Sequence, residues 1–354
     1  VTEVRAAVFG NGFARTVVLP CLRHVPGIRV VGIASPNVER VRATAAEFGI
    51  EAVSDDHRVI LDRCRPDLVY VVTPPHRHRE QAIDALEAGC HVVCEKPTAL
   101  DVSESASMLA TARAHPKQIA LIDHELRFSP ARAALREMVR GGRLGTIHHA
   151  SFTLLSPGRR DPATPWTWWS DRACGGGAWG AIGSHAVDSL RVLLGEVVET
   201  RGVLETFVRE RPDPATGRPR PVTTDDFAAA WLRFSSGAIA TITISLVEGE
   251  RVHRLTLAGT DGYARTEEQQ PLRVQFGRDP LIELPAEDDL PPSAELGIPD
   301  TDWARSFLRL ARHTVAAIGD GRAEVPGAAT FEDGHRNQIV LDAARGSDVA
   351  RSTS

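Results

Sequence analysis

Apolar residues fall into two regimes along the chain. As far as residue 122, short apolar runs at 5–9, 28–34, 68–72, 92–94 and 119–122 alternate with stretches of helical apolar spacing that end near 23 and cover 38–48, 79–88 and 102–114. Unbroken apolar runs of that length predict strands buried on both faces, and strands alternating with helices predict a doubly wound parallel sheet. Beyond residue 122 the period changes. A helix is expected over 130–140, then longer strands at 146–155, 198–208, 226–234, 238–246 and 253–258. The turns Ser235-Ser236-Gly237 and Gly259-Thr260-Asp261-Gly262 join neighbours as hairpins, so this part predicts a large, mostly antiparallel open sheet. The expectation is an α/β domain over residues 1–123 followed by an α+β domain over 124–354, whose C-terminal helices can pack back on the first.

Composition narrows the function classes. A chain of 354 residues suggests two domains of ordinary size, in keeping with the change of pattern. Its formal charge of −5, with lysines and arginines scattered rather than clustered, offers no field for a polyanion, so a nucleic-acid partner is not expected. No stretch approaches the ~20 apolar residues that cross a bilayer and no signal-peptide pattern precedes the first strand, so a cytoplasmic protein that meets no membrane is expected. The five cysteines form no disulfide framework. Cys90 and Cys94 have the even spacing that puts two thiols on one strand face, but no histidine or cysteine pair elsewhere completes a ligand set, and no metal is expected.

The candidate chemistry sits at the carboxyl ends of the predicted parallel strands, the edge where open α/β sheets bind ligands. The first strand runs into Gly10-Asn11-Gly12-Phe13-Ala14-Arg15 and then a helix, the order of a dinucleotide-binding Rossmann fold. Gly10, Gly12, Phe13 and Ala14 are thereby placed against a pyrophosphate, although Arg15 stands where a third glycine is usual. The second strand ends in Ala34-Ser35-Pro36-Asn37 with no carboxylate before Glu39, so nothing there repels a 2′-phosphate. Ser35 and Arg40 are the candidates for the adenosine ribose, and NAD and NADP both stay open. The next strand ends in Thr73-Pro74-Pro75-His76-Arg77-His78, where Thr73, Pro74 and His78 are cofactor candidates and His76 reads as a loop residue. The strand at 92–94 delivers Glu95-Lys96-Pro97: Pro97 ends the ladder and leaves Glu95 and Lys96 in the cleft.

Gly10-Asn11-Gly12, Thr73-Pro74-Pro75 leading to His78, Gly89, Glu95-Lys96-Pro97, His124, Arg127-Phe128 with Pro130, the stretch 141–147, Gly175-Gly176-Gly177, His185 and Asp188 together resemble the Gfo/Idh/MocA oxidoreductase family over almost the whole chain. The resemblance implies a Rossmann domain followed by a mostly antiparallel open sheet, with NAD(P) and an alcohol or carbonyl substrate, most often a sugar, cyclitol or derivative. It puts Lys96 and His185 in the catalytic cleft and implies a homodimer or homotetramer built through the second sheet. On the substrate side Arg127, Trp169, Arg172 and Asp188 join them. Trp169 lies in an aromatic loop, 166–177, that ends in the glycine run, and those glycines allow close backbone approach to whatever fills the cleft. The chain departs from the family at Ala181, where an Asp one turn before the histidine is common. That Asp would share a helix face with the imidazole and raise its basicity, so its loss shifts proton transfer towards Lys96 and leaves Asp188 to orient the ring.

The expected mechanism holds a substrate hydroxyl between Lys96 and His185, with its carbon facing the nicotinamide. A lysine acts as base at neutral pH only when burial or a neighbouring positive charge weakens its hold on the proton, and Glu95 opposes that if it lies close. Two rival readings keep the same motifs: a redox-neutral enzyme with a retained cofactor, of the eliminating-glycosidase type, and a nucleotide-binding regulator without catalysis.

Overall fold

The structure, a computed structural model, describes residues 3–285 and 287–347. The short polar tail, expected to trim the second domain or stay disordered, lies outside the described residues from 348 on. The chain forms two compact units: the residues up to Ser129 together with Asp289–His335, and Pro130–Asp288 together with the residues from Arg336.

The first unit is built on β1 (Val4–Phe9), β2 (Ile28–Ala34), β3 (Ala52–Ser54), β4 (Leu68–Val71), β5 (His91–Cys94) and β6 (Ala120–Ile122), parallel throughout and ordered β6-β5-β4-β1-β2-β3, with the short strand Ala329–Thr330 antiparallel on the β6 edge. Strand order reverses between β1 and β4, which opens a crevice beyond their carboxyl ends. The apolar runs explain why both faces are covered. On β4, Leu68 and Tyr70 enter one apolar cluster while Val69 and Val71 enter the other, the period-two alternation of a doubly buried strand. One face is closed by the helix Asp302–Gly319, whose Phe307 ring packs 5.9 Å from that of Tyr70. The opposite face is closed by helices that include His57–Cys64, His78–Glu87 and Val102–Ala114. Gly32 admits His57–Cys64, since a Cβ there would lie 2.7 Å from Ile60. The free thiols of Cys90 and Cys94 are buried in this second cluster, and burial pushes both up, Cys90 to about 12. Among the described residues no group of three His, Cys, Asp or Glu is placed to hold a metal ion.

The second unit carries an eight-stranded sheet. Its central strand Ile147–Leu155 pairs antiparallel with Val252–Gly259 and parallel with Ile239–Ser245; every other pairing in the sheet is antiparallel. The hairpins expected at 235–237 and 259–262 are present. The single parallel pair arises because 147–155 and 239–245 are separated by a long excursion through the helix Ser184–Leu194 and the strands Val197–Glu205 and Phe227–Phe234, so no hairpin constrains them to run in opposite directions.

Candidate active site

At the carboxyl edge of the first sheet the ladder continues one residue past each strand: Gly10 N donates to Ala34 O, Val72 N to Phe9 O, Glu95 N to Val71 O and Asp123 N to Cys94 O. This fixes the loops that follow. Gly10 turns with φ +115°, and a Cβ there would meet Val72 O at 2.5 Å. Gly12 is different: nothing lies within 4 Å of its Cβ position, and it opens the helix that ends at Leu22. The first amides of a helix have no partner within it, so the chain presents donors to open space at the switch point. Asn11 Oδ1 beside them is buried without a hydrogen-bond partner among the described residues. The open turn and its helix amides fit a dinucleotide pyrophosphate; Asn11 Oδ1, an acceptor, adds nothing to that fit. Phe13 is half-buried and Ala14 buried in the core. Arg15, in place of the third glycine, points outward and pairs with Glu47 at 2.8 Å, so it does not fill the cradle.

Ser35 follows β2 and donates from its backbone to Ser54 O, while Asn37 caps the helix Val38–Phe48 by accepting from Arg40 N. The Arg40 side chain is exposed and has no ion pair among the described residues. Thr73 Oγ1 donates to Gln81 Oε1, and Pro74 leads into a short turn. His78 is fully buried between two loop carbonyls, Nδ1 at 2.9 Å from Pro97 O and Nε2 at 2.7 Å from Thr73 O. Burial drives its ring down to about 4, against those oxygens, which favour the charged form. Expected at the cofactor, His78 instead ties the Thr73 loop to the Lys96-Pro97 loop, because its ring is shut inside the protein.

Lys96 follows Glu95 at the end of β5, with its side chain 19% exposed and Nζ 3.8 Å from Glu95 Oε2. The Lys96 backbone N also donates to Glu95 Oε2, at 3.2 Å, and the Lys96-Pro97 peptide is cis. Behind them, Asp123 follows β6 and lies beside Glu95, the residue that follows β5 in register. Burial raises both acids, and Glu125 raises Asp123 further while Lys96 opposes the rise. Asp123 was missed in the sequence although its signal matched that of Glu95, an acid directly after an apolar parallel strand. Arg127, expected at the substrate, is nearly buried within its own unit: it pairs with Asp333 at 3.4 Å and donates to Ala328 O, so it secures the returning chain.

In the second unit the glycine run meets protein rather than open space. A Cβ on Gly176 would lie 2.3 Å from Trp169 O, and one on Gly177 would lie 2.5 Å from Asp225 Oδ1. The close approach expected towards a cleft is therefore made to the protein's own backbone and to Asp225, which caps the following helical stretch by accepting from Trp179 N at 2.6 Å. Trp169 is half-buried, 5.7 Å from Trp168, with the Arg159 guanidinium over its ring; Arg172 is exposed and tied by its backbone to Thr223 Oγ1. His185 and Asp188 are both buried on the helix Ser184–Leu194. Asp188 Oδ1 accepts from Asn337 Nδ2 at 3.1 Å, and Asn337 Oδ1 accepts from Arg191 at 2.7 Å. Asn337 was invisible in the sequence, since it arrives from a distant helix. Ala181, one turn before His185, is buried and supplies no carboxylate.

A doubly wound sheet with an open glycine turn at its switch point, a strand-end lysine and a second, mostly antiparallel unit defines a two-unit dinucleotide-binding oxidoreductase. Residues 4–122 match the oxidoreductase family with an NAD-binding Rossmann fold, and residues 133–265 match the GFO/IDH/MocA C-terminal domain. The chain belongs to the Gfo/Idh/MocA family. It is 30% identical over 342 residues to the levoglucosan dehydrogenase of Pseudarthrobacter phenanthrenivorans, covering 88% of this chain and 85% of that one. An oxidoreductase domain protein from Kribbella flavida has the same fold with a TM-score of 0.89, 29% identity and coverage of 99% and 98%. Levoglucosan dehydrogenase in complex with NADH and L-sorbose superposes with a TM-score of 0.87, 25% identity and coverage of 99% and 97%.

Proposed function

We propose that the protein transfers a hydride between nicotinamide and a secondary alcohol or carbonyl of a sugar, cyclitol or related small molecule, with Lys96 as the main acid/base. The observation that carries this reading is the Lys96 amine, largely buried at the carboxyl end of β5; Glu95, 3.8 Å away, favours the ammonium, the form that donates to a carbonyl. A bound nicotinamide dinucleotide supplies the hydride acceptor or donor. Lys96 takes the hydroxyl proton on Nζ as the alcohol becomes a carbonyl, and returns it from the ammonium in the reverse direction. Glu95, touching both the backbone and the amine of Lys96, directs the side chain. Gly10, Gly12 and the amides of Phe13 and Ala14 hold the pyrophosphate, with Ser35 and Arg40 towards the adenosine ribose.

His185 is assigned the second proton-handling role on the family pattern, and without an acid at 181 it carries less of the transfer than Lys96. The half-exposed face of Trp169 suits stacking on a sugar ring, and Arg172 suits a polar substituent. The relatives that carry sugar names support a carbohydrate-like substrate. A homodimer or homotetramer through the second sheet belongs to the same reading, and the exposed Val198 and Val203 on the strand Val197–Glu205 support it.

Substitution Lys96→Met is expected to lower turnover by ~10² to 10⁴ while NADH still binds, because one general acid/base contributes about that much. The measurement is steady-state oxidation of sugars and cyclitols followed by nicotinamide absorbance, beside fluorescence titrations with NADH and NADPH. Near-normal turnover of the variant would sink the assignment.

A further inference from the structure

Two acids directly follow adjacent, in-register parallel strands, Glu95 after Cys94 and Asp123 after Ile122, and both are almost closed to water, at 8% and 2% exposure. Two ionised carboxylates set side by side away from water repel one another, and neither can donate to the other unless one carries a proton. The second oxygen of Asp123, Oδ1, is buried with no hydrogen-bond partner among the described residues. An ionised carboxylate with an oxygen buried in that way is strongly disfavoured, whereas a neutral carboxyl tolerates it far better. The pair stands directly behind Lys96, whose Nζ lies 3.8 Å from Glu95.

We propose that Asp123 is a positioning residue for Lys96: with Glu95 it forms a carboxyl pair that holds one proton between its oxygens, so that the Lys96 amine faces one shared negative charge rather than two. This rests on the reading of Lys96 as the proton-transferring group. The charged and titratable groups that act on the pair include Lys96 and Cys94 from β5 and the loop after it, Glu125 after β6, Tyr70 from β4 and Cys21 from the helix that follows the glycine turn. Cys94, Tyr70 and Cys21 are all pushed up by burial, which keeps them neutral, and Glu125 adds to the pressure on the pair to keep its proton. Lys96 is the cation that the pair addresses. While the proton is shared, the pair sets one negative charge against Lys96. When rising pH removes the shared proton, the pair sets a second negative charge against the Lys96 side chain.

Two measurements on the full chain test this. Infrared difference spectra at neutral pH should show a protonated carboxyl stretch in the wild type that disappears in Asp123→Asn. The pH profile of kcat/KM for alcohol oxidation should have its rising limb displaced by about one pH unit to lower pH in the same variant, since the second charge can no longer form. Glu95→Gln, which removes the pair from the other side, should also lose the carboxyl band and serves if Asp123→Asn does not fold. A wild-type spectrum without a band that depends on Asp123 or Glu95 overturns the shared proton, and an unmoved limb with the band lost overturns its influence on Lys96. Failure of the underlying reading is separate: Lys96→Met would keep its turnover, and the infrared result would still decide the pair.

Discussion

A methyl group at Gly10 would sit 2.5 Å from the Val72 carbonyl oxygen on a backbone with φ +115°. Neither the strand end nor the turn can yield, because Val72 N and Gly10 N are both held by the β1 and β2 ladder. Gly10→Ala is therefore expected to cost about 2–4 kcal/mol of stability and to weaken dinucleotide binding, as urea unfolding and NADH fluorescence would show. Retained stability would mean that the turn is not built as described. Gly10 and Lys96 were legible in the sequence because local chemistry marks them: an apolar run ending in glycine, and one ending in a charged pair before proline. For Arg127 and Gly176 the sequence did not show the partners they find. Their residue types fit a substrate site, yet Arg127 finds Asp333 from the returning chain and Gly176 makes room for the Trp169 carbonyl. Such partners lie far away in sequence or on an irregular loop, where no period points to them.

The helix Asp302–Gly319 shows how an element far along the chain completes the first sheet. Thr301 caps it by accepting from Ala304 N, and its buried face, with Phe307, Leu308 and Ala311, joins the cluster of Val8, Tyr70 and Val93. Phe307→Ala would remove a ring that packs on Tyr70 and leave a cavity under the β4 and β5 ends. A loss of about 3–5 kcal/mol is expected, read as a lower denaturant midpoint with an unchanged slope. A loss below about 1 kcal/mol would mean that the helix contributes little to that core. The sequence assigned the strands and helices up to residue 122 closely but passed over Ala52–Ser54, His57–Cys64 and Asp302–Gly319. The first two are short. The third is strongly amphipathic, with Ala304, Phe307, Leu308, Ala311 and Val315 buried, so its signal was present in the sequence and could have been read.

For the chain as a whole, pH reaches stability through buried groups of opposite sign. The His78 ring is held down to about 4 in the folded state, whereas an unfolded histidine titrates near ~6.5. Below ~6.5 the unfolded chain therefore binds a proton that the folded ring refuses. That contribution is complete above ~6.5 and is lost as pH falls towards about 4, by up to ~3 kcal/mol. Glu95 and Asp123 are raised instead, so the folded pair keeps protons that unfolded carboxyls release. Their contribution is largest at acid pH and declines as pH rises past ~4, which offsets part of the histidine effect. The ring signals of His78 in nuclear magnetic resonance should accordingly stay those of a neutral imidazole from neutral pH down to about 5. A midpoint near ~6.5 would show that the ring is not enclosed as the structure has it.

By itself the sequence determined the alternation of strands and helices, the glycine turn and the residues delivered at the strand ends, because period, glycine and proline act over a few neighbouring residues. Only the tertiary structure decided what those residues meet: the placing of Glu95 beside Asp123, the enclosure of His78 and the hold of Asn337 on Asp188. Each depends on groups brought together from separate strands, loops or helices, and burial gives those meetings their energetic weight by removing the water that would otherwise satisfy each group alone.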